Sequence, residues 1–341
     1  MKKILSVFLL FCLLPLASCQ KQPQKFTAYY FDFFDTATTI VGYADSQESF
    51  DAVCKTVTDE LTEYHRLYTI YTRYEGLENL CTLNHAEGAV SVDARILDML
   101  AFAGEMHTLT GGKTNVAMGS VLSLWHTART FGTRHPESAA LPAMDKLIAA
   151  SAHTDIADML LDFDAGTVTL ADTEMTLDVG AIAKGYAVEQ VARRLESEGI
   201  TGYLLNVGGN VRSIGARADG AKWSVGIENP NGGEETPFIA YLSIAGESVV
   251  TSGSYQRFYV VNGESYHHII DPETLMPAAY FQSVSVVCKD SGLGDALSTA
   301  LFCMTEAEGR TLIESVPDAE AMWVYADGKQ TYSSGFLAYC K

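Results

Sequence analysis

Hydrophobic spacing divides the chain into a largely helical first part and a β-rich second part. Residues 29 to 43, YYFDFFDTATTIVGY, read as a strand. Residues 46 to 67 then place Phe50, Val53, Val57, Leu61 and Tyr64 at helical spacing. A second helix is expected from Asp93, a suitable N-cap, to Gly111, a suitable stop. Between Gly111 and about Met144 the pattern weakens into a long loop carrying Gly, His and Pro, and loops of that length in compact domains are often functional. The helical period returns from Ala183 to Glu198, with Ile182, Tyr186, Ala187, Val191 and Leu195 on the apolar side and Gly199 closing it. After Gly202 come short β-rich runs, YLLNV, VRSIG, WSVGI, FIAYLSIA, SVVTS and RFYVV, punctuated by Gly, Asn and Pro. SVSVVC at 283 to 288 adds a strand, a helix follows from about Leu293 to Met304, and two further strands fit 320 to 325 and 330 to 337. Helices and strands come in runs rather than in strict alternation. The expected class is therefore α+β, with mostly antiparallel sheets in one compact, two-lobed unit.

The first residues change the picture of where such a unit works. Lys2 and Lys3 precede a short apolar run and small residues before Cys19, the pattern of a secretory signal peptide over 1–18. The ending LASC resembles a lipobox, which makes Cys19 the expected lipidation site and residues 19–26 a polar tether, with the folded domain over 27–341. An exported protein held on a bacterial membrane by a lipid anchor, on its periplasmic or extracytoplasmic face, is the expectation. Removal of Lys2 and Lys3 with the signal moves the formal charge from −19 to about −21. Such a surface repels nucleic acid, so any phosphate-bearing ligand has to be held by a local arrangement of metal, lysine and helix amides. The later cysteines, Cys54, Cys81, Cys288, Cys303 and Cys340, form an odd set without a CxxC pair, which argues against a disulfide framework and against a zinc knuckle. No HExxH occurs among the histidines.

Three segments carry candidate chemistry. DVGAIAKGYAVE, at 178 to 189, fails the Walker pattern because Gly185 follows Lys184, and GxGxxG is absent from the chain. It still suits a phosphate site: Gly180 permits close backbone approach, a helix start near Ala183 offers amides, and Lys184 adds a full charge. A plain helix start, with Asp178 as cap and Lys184 reaching solvent, fits equally well. In GDALSTALFCM, at 294 to 304, Asp295 and Thr299 lie four apart, so one helix face could offer a carboxylate and a hydroxyl to Mg²⁺; an Asp near a helix start is also favourable merely as a charge. In TSGSYQRFYVVNGESYHHIIDPETLMP, at 251 to 277, His267, His268 and Asp271 include a possible general base, although strand histidines are more often structural.

Taken together these segments resemble the FAD:protein FMN transferase, or ApbE, family. The matching pieces are FFDTATTI, IYTRYEGLENLCTLN, TNVAMGSVLSLW, LDVGAIAKGYAVE, LLNVGGNVRSIG, TSGSYQRF, HIIDPETLMP and DALSTALF, in the family's order and across nearly the whole mature chain. The resemblance implies a T-fold-like architecture and an enzyme that uses FAD as substrate and Mg²⁺ as cofactor. It would move FMN onto a threonine or serine hydroxyl of an acceptor protein and release AMP. Carried over by motif, the FAD contacts are Phe34, Tyr71, Lys113, Thr114, Asn115, Asp178, Lys184 and Ile270. The metal is held by the carbonyl of Ala181, by Asp295 and Thr299, and in some relatives by a residue at the position of Ser298. His268 matches a histidine for which a base role is proposed, so that His268, Lys184 and Asp295 form the catalytic set. Two departures stand out: Gly180-Ala181 replaces a usual pair of glycines, and Asn115 stands where an acid is common. An FAD hydrolase or flavin-binding lipoprotein of the same family is the nearest alternative. A solute-binding lipoprotein of an importer, built as two similar α/β lobes, is the rival from another class.

Overall fold

A computed structural model describes residues 23–341. The signal peptide, Cys19 and the first part of the tether lie outside the described residues. The chain opens with a hairpin of strands β1 (Gln24–Phe33) and β2 (Thr36–Ala44). The segment read as a single strand is thus two, and the tail of the stretch read as tether is already paired. Phe34 and Asp35, with φ of 50° and 51°, form the two-residue turn of left-handed residues that the twist of a tight hairpin favours. Helix α1 (Gln47–Tyr68) starts at a capping box on Ser46 and buries Phe50, Val57, Leu61 and Tyr64, as its spacing predicts. A short turn of helix, α2 (Leu80–Leu83), and strand β3 (Val90–Ser91) lead to α3 (Ala94–Leu109), which Asp93 caps through the Arg95 amide.

The segment expected as a long loop contains helix α4 (Gly119–Arg134). Its glycines disguised it, and both are there for close approach: a Cβ on Gly119 would stand 2.3 Å from the Thr176 carbonyl oxygen and one on Gly132 2.7 Å from the Tyr259 ring. Helix α5 (Met144–Ser151) follows, then strands β4 (Met159–Asp162) and β5 (Thr167–Leu170), which pair with β3 in a small three-stranded sheet that the pattern did not announce. Helix α6 (Ala183–Ser197) matches its expected bounds. Strands β6 (Tyr203–Val207), β7 (Asn210–Ile214), β8 (Trp223–Glu228), β9 (Phe238–Ile244), β10 (Ser248–Gly253), β11 (Phe258–Val261) and β13 (Ser283–Cys288) occupy the predicted β-rich runs, and β12 (Glu264–His267), which lies outside those runs, pairs with β11. Helix α7 (Ser291–Phe302) leads to α8 (Glu306–Ser315), a further helix that the Thr305–Glu308 capping box marks, and then to β14 (Glu320–Val324) and β15 (Gln330–Tyr332).

Eight strands make one sheet in the order β1-β2-β6-β7-β10-β13-β14-β15, antiparallel throughout. Strand β13 is an interior strand between β10 and β14 with all six residues buried, which is why its sequence is apolar or small on both faces. One lobe gathers α1, α3 and α6 against the β1-β2-β6 side around Phe50, Leu61, Leu100, Val191 and Leu205. The other packs α7 and α8 on β13 and β14 around Leu297, Leu301, Phe302 and Trp323. The β8–β9 hairpin covers the opposite face through Trp223, Val225 and Leu242. This is the α+β, two-lobed arrangement expected, and not the pair of similar alternating lobes that an importer's binding protein requires.

Candidate active site

A cleft of about 330 Å³ opens where the N-terminus of α6, one face of α7, the start of α4 and the segment after β12 meet. The chain enters α6 along a fixed path. Asn84 brackets Leu177 by accepting its amide at 2.7 Å and donating to its carbonyl at 2.8 Å, and the Asp178 amide donates to the Val116 carbonyl at 2.8 Å. The Asp178 carboxylate accepts the Gly180 amide at 2.9 Å, whereas the residue before α6, Ile182, makes no side-chain cap. Asp178 is therefore not the helix cap of the plain reading. Its side chain faces the cleft, where burial pushes its pKa up and the Gly180 amide, His126, Arg129 and Arg257 draw it back down.

Lys184, half-buried in the cleft wall, does not run outward along the surface either. Its ammonium turns inward and donates to the side-chain oxygen of Asn210 on β7. Burial depresses its pKa, the nearby Asp295 opposes that, and Arg257 adds to it. The helix start offers fewer free amides than its sequence suggested, because those of Ala183, Gly185 and Tyr186 are taken by the Val179 carbonyl, Asp295 and the Ile182 carbonyl. Positive charge at this point rests mainly on Lys184.

Helix α7 contributes the opposite wall. Asp290 caps it by accepting the Leu293 amide at 2.9 Å. Asp295 and Thr299, one turn apart, both face the cleft, and Ala181 lies across from them. The Asp295 carboxylate is buried and has no cationic side chain within ion-pair distance among the described residues, so burial raises its pKa against the pull of Lys184 and the Gly185 amide. Ser298 sits behind this surface and does not line the cleft: its hydroxyl donates to the Asp295 carbonyl at 3.0 Å and lies 2.8 Å from the Ser252 hydroxyl. A carboxylate lacking a counter-charge, a hydroxyl and a carbonyl are hard oxygen donors and fit Mg²⁺. No group of three or more His, Cys, Asp or Glu suited to a metal exists among the described residues. A sparse set of this kind suits an ion that keeps waters or takes substrate oxygens.

The remaining walls hold the other residues singled out by sequence. Lys113 is fixed between Asp271 and Glu273, each at 3.0 Å. Thr114 donates to the Ala296 carbonyl at 2.8 Å, and Asn115 accepts the Ala117 amide at 2.9 Å while donating to the Thr154 carbonyl at 2.9 Å. Asn115 thus acts as a short polar cap, a role that needs no acid. Phe34 stands at the tip of the β1–β2 turn, held by its amide donating to His65 Nδ1 at 3.1 Å. Tyr71, largely exposed, leans on the His126 ring at 5.3 Å at the mouth, and Ile270 closes one side.

The two adjacent histidines divide. His267 is structural: its Nε2 pairs with the Ala278 carbonyl at 2.8 Å and its ring meets Phe302 edge-on. His268 faces the cleft with Nδ1 3.3 Å from the Arg257 carbonyl, a contact in which only the imidazole can donate, so Nε2 is left as the acceptor. Burial, followed by Arg257 and Arg129, pushes its pKa down to about 3. The ring is neutral at ordinary pH and available as a base. Asp271 is excluded from that role by its ion pair with Lys113. His126, Arg129 and Arg257, which also line the cleft, were missed in sequence. The first two lie on α4, whose helical character was hidden, and their i, i+3 spacing is the only local signal.

The sequence profile of the ApbE family matches residues 34–323. The FAD:protein FMN transferase of Treponema pallidum is 32% identical over 274 residues, 76% of this chain and 74% of that protein. The FAD:protein FMN transferase of Haemophilus influenzae is 27% identical over 92% of this chain and 91% of its own length. The crystal structure of the ApbE protein of Thermotoga maritima superimposes with a TM-score of 0.81 at 26% identity, covering 93% of this chain and all of that one.

Proposed function

The chain belongs to the ApbE family, and from that premise we propose that it is an FAD:protein FMN transferase. It moves the FMN half of FAD onto a threonine or serine hydroxyl of an acceptor protein and releases AMP. In the balanced step the acceptor oxygen forms a bond to the FMN phosphorus, the bond from that phosphorus to the AMP oxygen breaks, and the hydroxyl proton passes to His268 Nε2. The observation that carries this reading is the convergence of Lys184, Asp295 and Thr299 on one cleft that a neutral His268 also faces.

Lys184 lies where an ammonium lowers the negative charge of a diphosphate and stabilises the oxygen that leaves with AMP. Asp295, Thr299 and the Ala181 carbonyl would hold Mg²⁺, which when bound supplies Lewis acidity to the same oxygens. Phosphoryl-type transfer depends on positioning and electrostatics more than on covalent chemistry by the protein. Phe34, Tyr71 and Ile270 provide the apolar and aromatic surface that a flavin ring system needs, and Lys113, Thr114, Asn115 and Asp178 the polar edges.

The test is incubation of the full chain with FAD, MgCl₂ and candidate acceptor domains. Covalent yellow label on an acceptor together with free AMP supports transfer, whereas FMN and AMP released with no label on protein would make the enzyme a hydrolase. Export and anchoring through Cys19 form the second part of the proposal. In cells the wild-type protein is expected in the membrane fraction and Cys19→Ser in the soluble fraction, and equal partitioning would refute the anchor.

A further inference from the structure

Just outside the cleft a second, shallow groove of about 300 Å³ runs between the last turns of α4 and the start of β11. It is lined by Arg129, Thr130, Arg134, Gln256, Arg257 and Phe258. Arg129, Gln256 and Arg257 also line the cleft, so the two depressions are continuous. The groove abuts His268 itself, whose Nδ1 meets the Arg257 carbonyl at 3.3 Å. A polypeptide presenting a hydroxyl to that imidazole has to pass over these residues.

The charge of the groove runs against that of the molecule. The chain has a formal net charge of −19, with 42 acidic residues against 23 lysines and arginines. Every other described arginine except Arg73 has a carboxylate within ion-pair distance, but Arg129, Arg134 and Arg257 have none among the described residues. Burial and then Arg257 lower the pKa of Arg129, and both arginines add to the effect of burial on His268. Asp178 acts on Arg129 and Arg257 only from across the cleft, and guanidinium groups gathered without a directly paired carboxylate are accounted for when the counter-charge arrives with a partner. Arg134 and Phe258 border only the groove, so the dinucleotide in the cleft does not account for that end. The Phe258 ring, 45% exposed, adds an apolar contact beside the cations.

We infer that this groove docks the acceptor protein through an acidic stretch adjoining the residue that receives FMN, with its carboxylates on Arg134 and Arg257 and its hydroxyl at His268. The inference rests on the transfer reading above. Since the net charge of the molecule repels an acidic partner, recognition is local and salt-sensitive.

The experiment uses the full chain with FAD and MgCl₂ and two fluorescein-labelled peptides of equal length. Each contains one threonine, flanked by Asp and Glu in one peptide and by Asn and Gln in the other. Fluorescence anisotropy is expected to show the acidic peptide binding roughly tenfold more tightly at low salt. Arg134→Glu is expected to remove that preference and Arg134→Lys to keep most of it, while FAD titration of both variants matches wild type. Equal binding of the two peptides overturns the inference, as does an acidic-peptide affinity indifferent to Arg134→Glu. Weakened FAD binding in Arg134→Glu would also overturn it by assigning the arginine to the dinucleotide. Failure of the transfer reading registers separately, as wild-type protein that binds no FAD or leaves FMN on no hydroxyl acceptor.

Discussion

The Gly185 amide in α6 donates to Asp295 Oδ2 in α7 at 2.8 Å. A reciprocal bond lies one turn away, where Glu189 Oε2 of α6 accepts the amide of Ser291, the first residue of α7, at 3.0 Å. Each helix thus satisfies an unpaired N-terminal amide of the other with a buried carboxylate, and the helices run antiparallel across the contact. Glu189 is itself held by Arg212 and Arg193, each at 3.0 Å. This pair of bonds sets the register that brings Lys184 and Ala181 of one segment opposite Asp295 and Thr299 of the other.

Asp295 then has two duties that substitution can separate. Asp295→Ala leaves the buried Gly185 amide without an acceptor and is expected to cost about 1–3 kcal/mol in chemical denaturation. Asp295→Asn keeps a carbonyl for that amide and is expected to hold most of the stability, yet both variants lose Mg²⁺ binding by calorimetry. Undiminished Mg²⁺ affinity in Asp295→Asn would remove the carboxylate from the metal site.

Gly185→Ala addresses the same contact sterically. Its Cβ would lie 2.4 Å from the Ser291 carbonyl oxygen and 2.6 Å from Asp295 Cβ, atoms fixed in helix α7. The helices have to separate, and a loss of about 1–3 kcal/mol is expected from such overpacking. At Gly180 the only near atom is Asp178 Oδ1 at 3.1 Å. Gly180→Ala is therefore expected to be the milder of the two by thermal unfolding, and a reversed order would contradict the assigned helix contact.

Lys184 illustrates a conflict between function and stability. Burial disfavours its charge, as its lowered pKa records, and its one hydrogen bond is to Asn210. Lys184→Met, similar in length and apolar, is expected to unfold at a temperature close to or above wild type while weakening FAD binding roughly 10- to 100-fold, the usual magnitude of a hydrogen bond to a charged group. FAD affinity equal to wild type would place the diphosphate elsewhere.

The division between what the sequence discloses and what it hides follows the range of the interactions involved. Helices with a long apolar stripe and a capping residue, such as α1 with Ser46, α3 with Asp93 and the run from Ala183, are specified locally and lie where their spacing predicts. Asp295 and Thr299 share a helix face for the same reason. Helix α4 was hidden because its two glycines serve contacts with Thr176 and Tyr259, distant in sequence. With it went His126 and Arg129. Arg257 and the inward turn of Lys184 toward Asn210 likewise depend on partners far along the chain. The division of labour between His267 and His268 was equally out of reach, because one faces Phe302 and the other Arg257 only after folding.

His268 yields a prediction of opposite sign to that of an ordinary surface histidine. Burial, Arg257 and Arg129 hold its pKa down at about 3, so in flavin-free protein its imidazole resonances are expected to stay those of the neutral ring throughout mild acid. Arg257→Gln removes the largest of the neighbouring positive charges and is expected to raise that pKa measurably in an NMR titration. A wild-type value near the ordinary 6.5 would show that the ring is solvated and not held in the cleft.

Behind the cleft, His153 Nδ1 lies 2.7 Å from Asp172 Oδ2, and Asp172 also accepts the Glu174 amide at 2.8 Å. The pair braces the segment entering Asp178 against the turn whose Thr154 carbonyl receives the Asn115 side chain. Its carboxylate partner raises the His153 pKa, while the Glu174 amide followed by His153 lowers that of Asp172. A raised histidine value means stabilisation that is complete below the unfolded value of about 6.5 and fades as pH rises through the folded one. A lowered aspartate value means stabilisation present above about 3.8 and lost as pH falls through the folded value. The two windows overlap in mild acid. Asp172→Asn is accordingly expected to lower the melting temperature more at about pH 5.5 than at a pH well above the folded value of His153, where the ring is neutral in both folded and unfolded chains. An equal loss at the two pH values would mean that the contact acts as a neutral hydrogen bond and not as an ion pair.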